Sequence, residues 1–396
     1  MTPFCPLEGV RIVEFSSSIA GPVATMILAQ LGADVIKVES PEGDDARGWP
    51  PHIGDRSVVF RNMSVGKRGV VIDLKQPQGV EVALALTASA AVVLQTMRPG
   101  VADRIGIGAA AVRARNPEAI YFDMNAFGTG PVGRGMPGYD PMVQAFTGIM
   151  EMTGHEGMPP TRCAPSLIDL GTGQWIAMGV LAAVLAKQRG QPVRSMETAL
   201  VDTAFSVVCY QATTALMTGE RPPKAGSGNP IAAPYQCYQA ADAQLLVAAA
   251  NQKLWQRVIS VLDAQALAED PRFTTVAERS KHRAALESEL NARFKRSTVD
   301  DWIARLSAAG VPATRVYGLE QAVVSDIARE RRTFAESDGV PLVRLPWLVD
   351  GEPIPWSSPA PTFGQHTREV LREVGLSNDR IDALVASGAV RERAAQ

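Results

Sequence analysis

Short β-branched runs alternate with helix-length segments through the first half of the chain. Residues 10–15 (VRIVEF) read as a buried strand, because a brief apolar run of this kind suits a sheet interior. Ser16, Ser17 and Ser18 follow, then Ile19, Ala20, Gly21 and Pro22. A serine cap and an early proline predict a helix start, and Gly32 predicts its stop. Residues 33–38 (ADVIKV) predict the next strand, so the chain opens with a right-handed βαβ unit of parallel sheet. Strands over 70–74, 91–94 and 119–124, with helices over 77–88 and 101–105, continue the alternation. Tyr139 and Asp140 open a helix toward Met150, residues 193–197 add a strand, and 198–217 predict one long helix. Alternation over this length predicts a doubly wound α/β domain.

The pattern changes at 219–234 (GERPPKAGSGNPIAAP), where dense proline and glycine predict a domain boundary. Residues 235–247 predict a hairpin with Ala241 and Asp242 near its turn. Helices over 251–261, 279–294 and 298–309 follow, then a strand from Pro312, a helical return over 318–335, and two short helices around Gly375. The middle segment therefore reads as a smaller mixed α+β domain.

Composition narrows the function. A chain of 396 residues with 46% hydrophobic and 20% charged residues is ordinary for a globular protein. A net charge of −2 offers no basic footprint, so nucleic acid is not an expected partner. Cysteines 5, 163, 209 and 237 and histidines 52, 155, 282 and 366 are scattered, which predicts reduced thiols and no metal site. The start (MTPFCPLEG) lacks the features of a signal peptide, and a cytoplasmic location is expected. The apolar run 175–186 is short for a bilayer, which predicts a buried helix and no membrane partner.

The tip after the first strand is a natural ligand site, since helix N–H groups point out of it. A nicotinamide dinucleotide fold is the obvious rival, with Glu39 as the ribose carboxylate. It fails on the loop: G-x-G-x-x-G is missing, and Pro22 removes a backbone donor. Lys67, Arg68 and Lys75 read either as solvated charge or as anion contacts, and the glycine-rich loop 128–138 as a flap over a bound molecule. In 159–189 (PPTRCAPSLIDLGTGQWIAMGVLAAVLAKQR), Asp169 stands before a small-residue helix expected from about Gly171. Two readings stand: a helix N-cap, or a carboxylate held at a positive helix end, with Gly171 and Gly173 leaving room for a ligand.

Several segments together resemble one family. They include LEGVRIVEFSSSIAGP, LGADVIKVESPEGDDARGW, KRGVVIDLK, MRPGVADRIGIG, NPEAIYFDMNAFGTGP, GYDPMVQAFTGIM, the 159–189 stretch, GVPATRV and PAPTFGQHTREVLREVGL. In this order and spacing the chain is similar to the class III CoA-transferases, the CaiB–BaiF family. The resemblance implies a Rossmann-like large domain built from both chain ends, a smaller inserted α+β domain, and a homodimer of interlocked rings. It assigns 1–200 to the large CoA-binding domain, 201–224 to a linker, 225–320 to the small domain, and 321–396 to a linker and C-terminal return. It makes Asp169 the catalytic nucleophile, passing through aspartyl anhydride and aspartyl-CoA thioester intermediates. CoA contacts fall by residue match on Ser18, Ile19, Ala20, Ile72, Lys75, Arg98, Arg104, Ile105, Gly138 and Tyr139. The implied partners are acyl-CoA and small carboxylic acids, with coenzyme A as substrate and no permanently bound cofactor.

Departures from the family bear on the substrate. Members exchanging formate and oxalate carry a glutamine where Ile19 stands and a glycine run where this chain has Gly226, Ser227, Gly228 and Asn229, which disfavours that exchange. The racemase branch has a His-Asp pair where this chain reads Tyr139-Asp140, and a tyrosine is a poor proton acceptor near neutral pH, so transfer is favoured over the alternative of a 2-methylacyl-CoA racemase. Arg47 beside Trp49, or the 226–230 loop, is a candidate for the distal carboxylate of a dicarboxylic donor such as succinyl-CoA; the alternative for Arg47 is a surface ion pair.

Overall fold

The structure is a computed structural model and describes residues 4–355 and 358–393. The strands expected from the sequence form the parallel core of one sheet: β1 (Arg11–Phe15), β2 (Asp34–Glu39), β3 (Arg68–Ile72), β4 (Val92–Gln95), β5 (Ile120–Asn125) and β6 (Ser195–Ala199). A seventh strand, β7 (Val390–Arg391), pairs antiparallel with β3 and was not foreseen from the sequence. The order is β7-β3-β2-β1-β4-β5-β6. The chain thus winds outward from β1 on one side and then crosses back to start again at β4. This makes the β1/β4 boundary the topological switch point, where open α/β sheets take their ligands.

Strand periodicity decides what each face carries. Val13 and Phe15 point into an apolar layer completed by Val70, Ile72, Leu86 and Leu371. Glu14 points the other way, and parallel register sets it beside Lys37 of β2. Both are fully buried, as is Lys67 just ahead of β3. Glu14 accepts from Lys67 at 2.9 Å, Lys37 at 3.3 Å, and the hydroxyls of Ser16 and Thr25 at 2.6 Å each. Lys37 also reaches Asp44 at 2.7 Å. Burial alone would raise the Glu14 carboxyl, but the two lysines and two hydroxyls outweigh it and hold it at about 2. Lys37 faces several carboxylates and is pushed above the usual lysine range, whereas burial dominates at Lys67 and draws it down to about 8. Lys67 is therefore neither solvated charge nor an anion contact. Arg68 is likewise committed, to Asp34, Glu369 and Glu373.

Helix α1 (Ala20–Gln30) lies over this charged layer and against a longer helix, Leu167–Gln188. The longer helix has 22 residues and is long and apolar enough to cross a membrane by length and composition alone, unlike the shorter run expected at 175–186. One stripe of it is buried, through Ile168, Thr172, Gly173, Ile176 and Val180. The opposite stripe is not the buried surface expected: Trp175 and Met178 are each 49% exposed. A Cβ on Gly173 would sit 2.7 Å from Val23 and 2.8 Å from the Ala20 carbonyl, and one on Gly171 would sit 3.1 Å from Thr203. Clearance for a ligand is thus not their role; both let helices approach.

Two compact units partition the described residues. The first draws on Met1–Thr147, Ala164–Cys209 and Arg329–Gln396, the second on Gly148–Cys163 and Tyr210–Ala328. Residues 148–163, expected in the large domain, group with the second unit because Lys224 donates to the Met158 and Pro159 carbonyls and Gly226 N–H to Gly154. Residues 201–209, expected as linker, stay with the first, where Val201 N–H bonds Ala126 and Thr203 takes the Thr172 hydroxyl. The second unit carries the expected hairpin, Tyr235–Gln239 with Gln244–Ala248, and Ala313–Arg315 joins its edge. Trp255, Phe273, Phe294 and Trp302 fill its core. Two predicted helices are each broken. Leu200–Val207 and Cys209–Thr218 part at Val208, and Val276–Lys281 and Arg283–Phe294 part at His282, whose ψ of 30° leaves the helical range.

Gly173→Ala tests the helix contact. Overpacking against Val23 is expected to cost about 1–3 kcal/mol, read as a lower urea midpoint. An unchanged midpoint would mean that the helices separate freely.

Candidate active site

The loops after β1, β4 and β5 converge at the switch point. The first βα turn ends in α1, whose N-cap position, Ile19, makes no side-chain cap bond. The first free N–H groups and the positive end of α1 therefore belong to this turn. A cavity of about 200 Å³ opens there, walled by Ser18, Ile19, Ala20, Arg98, Gly138, Tyr139 and Asp169. A second cavity of about 460 Å³ adjoins it, with Ile72, Lys75 and Ile105 in its wall. Both share Ser17, Asp45, Thr96 and Met97, so the two form one trough.

The sequence-predicted residues thus divide into two groups along that trough. Seven stand around the smaller cavity and three around the larger. Arg104 lies in the wall of neither; it is exposed on the short helix Val101–Ile105. Lys75 is 82% exposed and stands 3.7 Å from Glu42. Glu39, the candidate ribose carboxylate, is buried and takes Arg47 in a two-pronged pair at 2.6 and 2.7 Å. Arg47 also lies 3.7 Å over the Phe60 ring. Glu39 is thus committed within the fold, and Arg47 forms an ion pair with a buried partner rather than the surface pair expected.

Asp169 does not cap its helix. That helix begins at Leu167 rather than Gly171, with Ser166 at its N-cap and no cap bond from the serine. Asp169 is the third residue of its first turn and is partly buried. The capping oxygen comes from a different helix, Asp140–Phe146. Asp140 is 1% exposed, and its Oδ2 accepts from the N–H of Ile168 at 2.7 Å and of Asp169 at 3.2 Å. Its Oδ1 accepts from Gln144 at 2.6 Å. A buried carboxylate thus satisfies two orphan donors of the turn that carries Asp169. Sequence reasoning missed this role because the partners lie 28 and 29 residues apart. It also missed Asp45, Thr96 and Met97, whose only signal is that they follow predicted strands.

The family model described as CoA-transferase family III matches residues 7–367. The chain belongs to this family. A succinate–glutarate CoA-transferase of Agrobacterium fabrum is 31% identical, covering 93% of this chain and 96% of that protein. An acetyl-CoA:oxalate CoA-transferase of Acetobacter aceti is 30% identical, over 94% and 96%. Among solved structures, a CAIB/BAIF family protein from Brucella suis superposes with a TM-score of 0.82 at 31% identity, over 93% of this chain and 99% of that one. The chain is thus a class III CoA-transferase with the mixed α/β fold and parallel-rich sheet of the CaiB–BaiF proteins.

Removing the Asp140 cap should loosen the turn that carries Asp169. Asp140→Ala is expected to lose about 2 kcal/mol in urea unfolding, and Asp140→Asn, which keeps an acceptor oxygen, less than half of that. Equal losses in the two variants would assign the effect to charge rather than to capping.

Proposed function

We propose that this enzyme moves CoA from an acyl-CoA donor to a small carboxylic acid, with Asp169 as the nucleophile. The observation that carries the reading is the position of Asp169. It stands in the first turn of a helix, in the wall of a cavity that also receives the uncapped N-terminus of α1. Its carboxylate attacks the donor thioester carbonyl, forming a mixed anhydride and expelling CoA thiolate. The thiolate attacks the aspartyl carbonyl, giving an aspartyl-CoA thioester and freeing the donor acid. The acceptor carboxylate attacks that thioester, forming a second anhydride and again releasing thiolate. The thiolate then takes the new acyl group, and the Asp169 carboxylate is restored. Each step exchanges one acyl bond for another and needs no net proton. Backbone N–H groups at the α1 terminus would stabilise the negative charge that develops on the attacked oxygens.

The trough is the proposed CoA site. Ser18, Ile19, Ala20, Arg98, Gly138 and Tyr139 would line the thioester end, and Ile72, Lys75 and Ile105 the remainder. Arg104 could serve only from outside the trough wall. The acids in the names of the two relatives above, succinate, glutarate and oxalate, are short dicarboxylates, which supports that substrate class. A racemase would need acid and base groups flanking an α-carbon. Asp140 is 1% exposed and outside the cavity wall, and its oxygens accept from Gln144 and from the Ile168 and Asp169 N–H groups, which disfavours it in that role.

Incubation with succinyl-CoA followed by hydroxylamine should convert Asp169 to its hydroxamate, detected by peptide mass. Asp169→Ala should lose transfer by about 10³-fold or more. Full transfer by that variant would remove Asp169 from the chemistry, and α-hydrogen exchange from deuterated water without an acceptor acid would favour the racemase.

The homodimer is part of the same reading. Phe146, Trp175, Met178 and Phe205 are 46–58% exposed within the first unit, on the helix that carries Asp169 and on the helices Asp140–Phe146 and Leu200–Val207. A second copy would cover such side chains. Light scattering should give twice the chain mass, and a monomer at micromolar concentration would rule the dimer out.

A further inference from the structure

The turn between β1 and α1 and the first turn of α1 are gripped by their backbone from three buried charged side chains. Lys37 Nζ donates to the Ser16 carbonyl at 2.9 Å, Lys67 Nζ to the Pro22 carbonyl at 2.9 Å, and Asp44 Oδ1 accepts from Ser18 N–H at 3.0 Å. Within that grip Ser18 has φ of +69°, the left-handed region that L-residues avoid. A residue stays there only where its surroundings over-determine it, and such residues cluster at ligand sites. Asp44 supplies the over-determination. It is 5% exposed, its other oxygen is matched by Lys37 at 2.7 Å, and Oδ1 also takes the Ala46 N–H at 2.9 Å. Ser18 lies in the cavity wall that Asp169 shares.

We infer that Asp44 is a positioning residue for the thioester: through the Ser18 N–H it holds the turn in the left-handed conformation that presents the α1 terminus to the cavity of Asp169. The inference rests on the reading of the trough as the CoA site. Asp44 acts through the backbone, since its charge is matched by Lys37 and its oxygens are occupied. Local sequence could not reveal this, because the contact joins residues 26 positions apart.

The experiment compares Asp44→Ala with the wild type for CoA binding by calorimetry and for steady-state transfer, with Tm as the check on folding. The CoA dissociation constant and the KM for acyl-CoA should each rise about tenfold, while the KM for the acceptor acid changes less than about twofold. Asp44→Asn keeps an oxygen for the Ser18 N–H and should recover most of the binding. Ser18→Val leaves the ion network in place but resists positive φ, and should reproduce the loss. It decides the matter if Asp44→Ala does not fold. Unchanged CoA affinity in the folded Asp44→Ala protein, or in Ser18→Val, overturns the inference. A fall in kcat with both KM values unmoved also overturns it, as the signature of a loosened fold. Wild-type protein that does not bind CoA overturns the reading of the trough, and the inference with it.

Discussion

The buried cluster of Glu14, Lys37, Lys67 and Asp44 is the constraint on which the first unit depends. Two carboxylates and two ammonium groups are removed from water between β1, β2, the entry to β3, and α1. Such a cluster is a poor source of net stability, because desolvation offsets the attraction. Its effect is on geometry. Removing one partner strands a buried charge, at about 3–5 kcal/mol, so only one register of these elements satisfies all four. That register fixes where β1 ends and therefore where the first helix terminus opens.

From that point the site follows from sheet order. β1 and β4 are neighbours that the chain reaches at separate times, and their tips contribute Ser17 and Ser18 on one side and Thr96 to Arg98 on the other. Asp169 is added by the helix that packs on α1, and that packing needs the bare backbone of Gly173 against Val23. The nucleophile candidate and the helix terminus facing its cavity are thus carried by two helices in direct contact.

Much of the frame was legible because it is periodic. The six parallel strands were each expected from the sequence, four of them as β-branched runs, whereas the short antiparallel edge strand β7 was not, and α1 came from its serines, Pro22 and Gly32. The glycines and charges were harder. Lys67 in a Gly-Lys-Arg-Gly turn has the local look of surface charge, and its carboxylate partner is 53 residues away. Glu14 sits mid-strand in an otherwise apolar run, a conflict between residue and setting that marks a buried pair. Asp169 read as a cap because short-range pattern sees an acidic residue before an apolar helix and cannot see Asp140. The long predicted helices broke at Val208 and His282, where no proline or glycine signals a stop. Family resemblance, by contrast, located ten of the eleven named site residues along one trough, leaving out Arg104.

Capping of the Asp169 helix by Asp140 separates two duties that one aspartate is often given. A carboxylate that caps its own helix is weakened as a cap whenever it is acylated, because it loses its charge. Here the acceptor for the Ile168 and Asp169 N–H groups is a buried neighbour outside the cavity wall. An acylated Asp169 would leave those bonds intact, so the helix need not fray and re-form at each turnover. The scaffold can stay still while its reactive group changes charge.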